Sequence, residues 1–289
     1  MPISIVLGGD RPEVSMTFGP PTIYFDHWAI RAFSERGQPQ DRFVDLLHRK
    51  AATFVLSLCN LAEFSAPSDR RHAIDAEHFL DRLMPNIYLT DFDLDRALRM
   101  EGIAQQNNLR VFMPHCDWLA RKVLERTLRT GEPLSLRGLL SEANQAPEFT
   151  EIWNATTRAI LDKILELRDT SAFVSKARSS IPSDDRPKVH VVLGELMRDL
   201  ILNPGGRVTQ QDAADLLHAA LPSMGCDFVL LDGRWVSRVE TMRRRLAKHG
   251  SDFRLARCFS KRDEGLSQFL DELDALPEPA LPGPTPVRL

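Results

Sequence analysis

The stretch Gln211–Arg234, QDAADLLHAALPSMGCDFVLLDGR, contains a helix-like segment that leads into a strand-like one. Leu217 and Leu221 lie at helical spacing together with several alanines, which predicts an amphipathic helix. The continuous apolar run Phe228–Leu231 is typical of a strand that is covered on both faces. Asp232 follows this strand directly. Because ligands of open α/β sheets bind outside the carboxyl ends of the strands, Asp232 is a candidate site residue.

Two β-prone runs in the first quarter of the chain also lead into acidic residues. Pro21–Phe25 is followed directly by Asp26, and Thr53–Leu58 is followed five residues later by Glu63. Strand-like and helix-like segments alternate here, which favours parallel neighbouring strands. The acids after these strands are therefore expected at one edge of the sheet, together with Asp232.

A group of four carboxylates is expected at this edge, from Asp26, Glu63, Asp215 and Asp232. Carboxylates at close range repel one another, so they cannot all stay ionised unless a cation neutralises them. Hard oxygen ligands favour Mg²⁺ or Mn²⁺, and Mg²⁺ typically binds one or two carboxylates plus a substrate phosphate. The sequence therefore predicts a Mg²⁺ or Mn²⁺ site.

The acidic residues lie in four motifs: IYFD at 23–26, NLAEF at 60–64, DAADLLHAA at 212–220 and DFVLLDGRW at 227–235. In this order they resemble the PIN domain, a family of metal-dependent ribonucleases found in bacterial toxins and in RNA processing and decay. The resemblance implies that the catalytic, metal-binding residues are Asp26, Glu63, Asp215 and Asp232. It also implies RNA as the substrate.

The predicted fold class is α/β, a PIN-like three-layer α/β/α sandwich with a mainly parallel sheet that is interrupted by a helical insertion. The two PIN-like halves are expected at residues 20–106 and 207–276. Residues 107–206 repeat apolar side chains at helical spacing and form the predicted insertion. Residues 277–289 are rich in Pro and Gly and are expected to be a disordered tail. Residues 1–19 are expected to be an extended lead-in with at most one edge strand.

Composition limits the class of protein. The chain has 289 residues, of which 43% are hydrophobic and 27% charged, as in a globular protein. A net charge of −3 gives no overall attraction to nucleic acid, so any such contact must come from a local patch. Four scattered cysteines without CxxC spacing favour a reducing compartment. Without an export signal or an apolar run of about 20 residues, we expect a cytoplasmic protein with no membrane association.

Each acidic residue also has an ordinary structural explanation. Asp26 and Asp232 could be turn residues, and Glu63 could be a solvated helix residue. Asp212 could cap its helix or support a metal-binding carboxylate through hydrogen bonds. The same alternatives hold for Asn60, for which capping is favoured.

Histidine and arginine residues near the motifs leave further alternatives open. His218 lies one helical turn after Asp215, and its alanine neighbours favour a core histidine over a metal ligand. The basic residues that follow Asp232 and are candidates for RNA binding are Arg234, Arg238, Arg244 and Arg245. Such a run is usually a solvated helix face, but beside a metal site it could bind phosphates.

The leading functional hypothesis is a Mg²⁺- or Mn²⁺-dependent ribonuclease, with a toxin-like or defence-related enzyme as one form of this hypothesis. Metal-activated water would attack the phosphodiester, so no Ser, Cys or His nucleophile is required. An alternative from another class is a catalytically inactive scaffold that binds a regulatory protein, or a second copy of itself, through the helical insertion. A third hypothesis, a structure-specific DNase on a related fold, differs only in its substrate.

Overall fold

The computed structural model describes residues 3–8, 11–35, 37–65, 70–91, 93–106, 113–131, 134–144, 147–183, 185–203, 206–262 and 264–278. The strands are β1 (Ile3–Gly8), β2 (Arg11–Met16), β3 (Thr22–Phe25), β4 (Thr53–Ser57), β5 (Ile87–Thr90), β6 (Phe228–Leu230) and β7 (Arg257–Phe259). The helices are α1 (His27–Ser34), α2 (Gln38–Arg49), α3 (Leu58–Phe64), α4 (Arg70–Asp81), α5 (Leu94–Gln106), α6 (Asp117–Thr130), α7 (Leu139–Asn144), α8 (Pro147–Asp169), α9 (Ser171–Ser179), α10 (Lys188–Leu202), α11 (Gln210–Gly225), α12 (Gly233–Lys248) and α13 (Gly265–Asp274).

Five strands form a parallel sheet in the order β5-β4-β3-β6-β7. The chain adds β4 and β5 on one side of β3 and then returns to add β6 and β7 on the other. The strand order therefore reverses between β3 and β6, which is the point where ligands bind in open α/β sheets. This confirms the predicted α/β class and places the ends of the two central strands beside each other.

Both faces of the sheet are covered by helices. Side chains alternate between the faces of a strand, and in β3 they separate into two hydrophobic clusters. Ile23 and Phe25 belong to the cluster that contains residues of α1, α2, α4 and α13. Tyr24 belongs to the cluster that contains residues of α5, α10, α11 and α12. This arrangement is consistent with three α/β/α layers and explains why the central strands are continuous apolar runs.

Helices α6, α7, α8 and α10, which lie within residues 107–206, contribute residues to these two clusters. Leu119 and Val123 of α6 lie in the first cluster, and Ile164 of α8 and Leu196 of α10 lie in the second. They pack against the helices of the sheet layers and bury apolar surface with them. The division of the chain into two halves and an insertion stays a prediction.

The N-terminal segment differs from the prediction of at most one edge strand. β1 and β2 form an antiparallel hairpin in which Ile3 pairs with Met16. Ile3 is fully buried in the first cluster, and its backbone N–H donates to the Pro85 carbonyl at 3.1 Å. That long-range contact anchors the hairpin, and it has no signature in the local sequence.

Two smaller differences concern the length and number of elements. The sequence predicts a last strand over 253–259, but β7 covers only its final three residues. α9 was not predicted from the sequence. Its residues are half-buried or exposed, and a helix without a buried face has only a weak apolar periodicity in its sequence. The predicted tail at 277–289 lies outside the described residues after 278. Among the described residues, none of the helices combines the length and hydropathy that a membrane span requires.

Candidate metal centre

A cleft of about 800 Å³ lies at the carboxyl edge of the sheet, where β3 and β6 end. Asp26 follows β3 directly, and Asp232 lies two residues after β6. The cleft is also lined by residues from α3, α8, α11, α12 and the loop after β7, among them Glu63, Trp153, Gln211, Asp215, Arg234 and Arg262. All four predicted acids therefore line one cleft.

Asp26 is buried at the bottom of this cleft. It is the N-cap of α1, and its Oδ1 accepts a hydrogen bond from the backbone N–H of His27 at 2.6 Å. Burial raises the pKa of Asp26 to about 7; nearby His218 opposes this rise, and the Glu63 carboxylate adds to it. Asp26 therefore caps a helix, whereas the structural alternative considered from the sequence was a turn residue, and the same carboxyl group faces other charged side chains.

Asn60 fixes the start of α3 directly after β4. Its side chain forms a capping box with Ser57, and its Nδ2 donates to the Phe25 carbonyl at 3.0 Å. These bonds join the end of β3 to the start of α3, one turn before Glu63. The capping alternative is therefore present in the structure, and Asn60 helps to position both Asp26 and Glu63.

His218 lies at the centre of the acidic cluster and is fully buried. Its Nε2 lies 3.1 Å from Glu63 Oε2, and its Nδ1 lies 3.8 Å from Asp26 Oδ1. The Tyr24 hydroxyl is 2.5 Å from the same Nδ1 and fixes the orientation of the ring. The side chain is buried, as expected of a core histidine, but it contacts two carboxylates.

The charges of His218 and its carboxylate neighbours depend on one another. Burial alone would lower the pKa of His218, but attraction to Glu63 and Asp26 outweighs it and raises the pKa to about 9. Burial would raise the pKa of Glu63, but attraction to His218 outweighs burial and lowers it. At neutral pH an imidazolium and the Glu63 carboxylate therefore form a buried ion pair.

Asp26, Glu63 and His218 each present a ligand atom within 4.8 Å of the other two, so this group could hold a metal ion. Glu63 Oε2 and His218 Nε2 are buried, and their 3.1 Å contact is not aligned as a hydrogen bond. Adjacent ligands on an octahedral ion, each about 2.1 Å away, lie about 3 Å apart. The Tyr24 contact on the opposite ring nitrogen is of the kind that orients metal-binding histidines. These residues therefore fit a divalent ion.

Asp215 lies beside this group but is held by other partners. Its Oδ1 accepts from Gln211 Nε2 at 2.6 Å, and its Oδ2 accepts from Trp235 Nε1 at 2.8 Å. Burial raises the pKa of Asp215, although these hydrogen bonds oppose the rise. The two donors fix the direction of the carboxylate toward the cleft.

Asp232 and Asp212 have mainly structural contacts. Asp232 caps α12 by accepting from the backbone N–H of Arg234 at 2.9 Å, although it also lines the cleft. Asp212 forms a capping box with Thr209 at the start of α11. Asp212 Oδ1 also lies 2.6 Å from Arg234. Asp215 and Asp232 are outside the group that Asp26, Glu63 and His218 form among the described residues, and metal binding by all four predicted carboxylates stays a prediction.

Arg234 is the predicted basic residue that lines the cleft, and its side chain is half exposed. Arg238 pairs with Asp199 at 2.8 Å and Arg245 pairs with Glu195 at 2.8 Å. Because both acids belong to α10, these two arginines attach α12 to α10. Their role in RNA binding stays a prediction.

Arg244 does not line the cleft, whereas Arg262 does. Arg244 is exposed on α12, and at about 1.5 Å of rise per residue it lies roughly 16 Å along the helix from Gly233. Arg262 follows β7 and lines the cleft, and no described acidic residue pairs with it. Arg262 was not predicted from the sequence, although its position just past a predicted strand could have indicated it.

Comparison with protein-family models, curated proteins and solved structures gave no match for this chain. The resemblance to the PIN domain therefore rests on the order of the four sequence motifs and stays a prediction. The reversal of strand order and the geometry of the acidic group are observations on this chain itself.

Proposed function

We propose that the protein is a divalent-metal-dependent ribonuclease of the PIN type. The observation that carries this proposal is the convergence of Asp26, Glu63 and His218 within 4.8 Å at the point where the strand order reverses. Arg234 and Arg262 line the same cleft. A cation held by carboxylates beside arginines suits a phosphodiester, whose negative charge both can stabilise.

Of the two predicted ions, Mn²⁺ is favoured over Mg²⁺. Carboxylates suit both ions, but imidazole is a ligand of transition metals more than of Mg²⁺, and His218 belongs to the group. A bound ion would lower the pKa of a water molecule toward neutrality and offset charge on the phosphate. Tyr24 would orient His218, and Gln211 and Trp235 would orient Asp215 toward that water.

The proposal is tested by incubating the purified protein with a single-stranded RNA and with the DNA of the same sequence. Parallel reactions contain Mn²⁺, Mg²⁺ or a chelator. We expect RNA cleavage that is faster with Mn²⁺ than with Mg²⁺ and absent with the chelator. Intact RNA in the presence of bound Mn²⁺ would contradict the proposal. Faster cleavage of the DNA than of the RNA would show that DNA is the preferred substrate.

A catalytically inactive scaffold is the second candidate, and one observation favours it. The pKa of His218 is raised to about 9, so its imidazolium can neutralise Glu63 without any metal ion. The acidic group would then be an internal ion pair, and the protein would act through a partner. Calorimetric titration with Mn²⁺ separates the two candidates, because the scaffold predicts no binding.

Replacing Arg262 by alanine is expected to weaken RNA binding by about tenfold, because the exposed guanidinium at the cleft would contact a phosphate. The salt dependence of log K should fall by about one, the value for one lost phosphate contact. Binding is measured by fluorescence anisotropy at several salt concentrations.

The matched control is Arg244→Ala, which removes an exposed arginine far along α12. We expect its RNA affinity to stay within about twofold of the wild type. Equal losses in both variants would show that RNA follows α12, as the basic run in the sequence predicts, and not the cleft alone.

A further inference from the structure

A second cavity, of about 410 Å³, lies beside the acidic cleft at the same edge of the sheet. Leu58 follows β4 and Asp91 follows β5, and both line this cavity. Ala62 and Trp153 line the cavity and the cleft, and Ala62 directly precedes Glu63 in α3. The two spaces are therefore neighbours with a shared wall.

The walls of the cavity are mainly aromatic and apolar. Trp118 and Phe149 line it with ring centroids 5.6 Å apart, and Trp153 adds a third aromatic side chain. Trp118 is 38% exposed and Ile152 is 66% exposed. Large apolar side chains left open to solvent around one cavity indicate a binding surface.

The position of the cavity favours a nucleotide over a purely apolar ligand, because Ala62 and Trp153 separate it from the acidic cleft in which a phosphate would lie. Asp91 lines the cavity, and its Oδ1 accepts a hydrogen bond from the backbone N–H of Asp93 at 3.1 Å. The ligand expected from these walls is a flat heteroaromatic ring attached to a phosphate that reaches the acidic cleft.

We propose that this cavity binds one unstacked base of single-stranded RNA, next to the phosphate that lies at Asp26, Glu63 and His218. This inference rests on the proposed function and adds the substrate class. Bases of single strands stack readily on aromatic side chains, whereas those of a duplex are stacked on each other and cannot enter. The protein therefore selects RNA that is unpaired at the bound nucleotide.

The first test measures binding of a fluorescent eight-nucleotide RNA by anisotropy, in the presence of a chelator so that no cleavage is needed. Trp118→Ala is expected to weaken binding by about tenfold, as for loss of one stacked base. Its matched control is Phe173→Ala, which removes an aromatic side chain that is 43% exposed and lies outside the cavity. The control should bind within about twofold of the wild type.

A second pair of variants keeps the test independent of folding. Ile152→Glu places a charge in the cavity at a side chain that is 66% exposed, and Leu128→Glu makes the same change at a side chain that is 65% exposed and outside it. We expect about tenfold weaker binding for the first variant only. A duplex of the same sequence should bind the wild type weakly and be unaffected by either change.

Unchanged RNA affinity in both Trp118→Ala and Ile152→Glu would overturn the base site, and so would equal affinity for the duplex. Cleavage assays with Mn²⁺ separate this failure from failure of the ribonuclease proposal. RNA cleavage together with unchanged binding by both variants would support the ribonuclease proposal and contradict the base site. Weaker binding by both variants without any cleavage would support the base site and contradict the ribonuclease proposal.

Discussion

Asp26→Asn and Glu63→Gln are each expected to lower Mn²⁺ affinity and the rate of RNA cleavage by at least about 100-fold. Both changes remove one charged ligand from the group that presents its atoms within 4.8 Å. Even residues that only support a metal ligand typically contribute 10- to 100-fold. Asn is a good N-cap, so α1 should keep its start in the Asp26 variant. Titration calorimetry and single-turnover cleavage measure the two effects.

Two further aspartate variants serve as comparisons for the Asp26→Asn and Glu63→Gln results. Asp252→Asn changes an exposed residue and should leave both measurements as in the wild type. Asp232→Asn should reduce the rate less than Asp26→Asn, because Asp232 lines the cleft but lies outside the metal-binding group. Wild-type metal affinity and cleavage in Asp26→Asn would rule out this group as the metal centre.

The metal-free protein is expected to lose stability as the pH rises from 6.5 to 8.5, by about 2 kcal/mol in free energy of unfolding. The folded pKa of His218 is raised to about 9, because Glu63 and Asp26 outweigh the effect of its burial. A group with a raised pKa stabilises the fold fully below its unfolded pKa of about 6.5 and loses that contribution as the pH approaches 9. Asp26 acts in the same direction at lower pH, since its pKa is raised from 3.8 to about 7.

Denaturant titrations with a chelator present would measure this slope. The window ends at pH 8.5, where free cysteine thiols begin to ionise. Glu63→Gln removes the strongest partner of His218 and should flatten the slope, whereas Asp252→Asn should preserve it. A free energy of unfolding that stays level or increases over this range would contradict the buried ion pair.

Most of the parallel sheet could be predicted because its signals are local. The runs ending at Phe25, Ser57 and Leu230 are apolar and bounded by polar residues, so their ends could be identified within one or two residues. Parallel strands place the residues after them at one edge, which correctly put Asp26 and Asp232 in the same cleft. The order of strands, however, depends on contacts between distant segments.

The details of the site could not be predicted, because they depend on which side chains meet after folding. The position of His218 between Asp26 and Glu63 follows from the packing of α11 on the sheet. Arg238 and Arg245 of α12 pair with acidic residues of α10, and periodicity alone does not show that these two helices are neighbours. Local pattern therefore predicted which acids would line the cleft but not which side chains would be in contact there.

The pairing of β3 with β6 has a consequence for how the protein is made. Thr22 and Asp227 hydrogen bond at the start of these strands although 205 residues separate them. At about 5 to 20 residues per second, a ribosome needs roughly 10 to 40 s to make that interval. During this time β3, β4 and β5 have been made, but β6, the second partner of β3, has not. The acidic group is therefore completed only late in translation, after α11 and β6 have emerged.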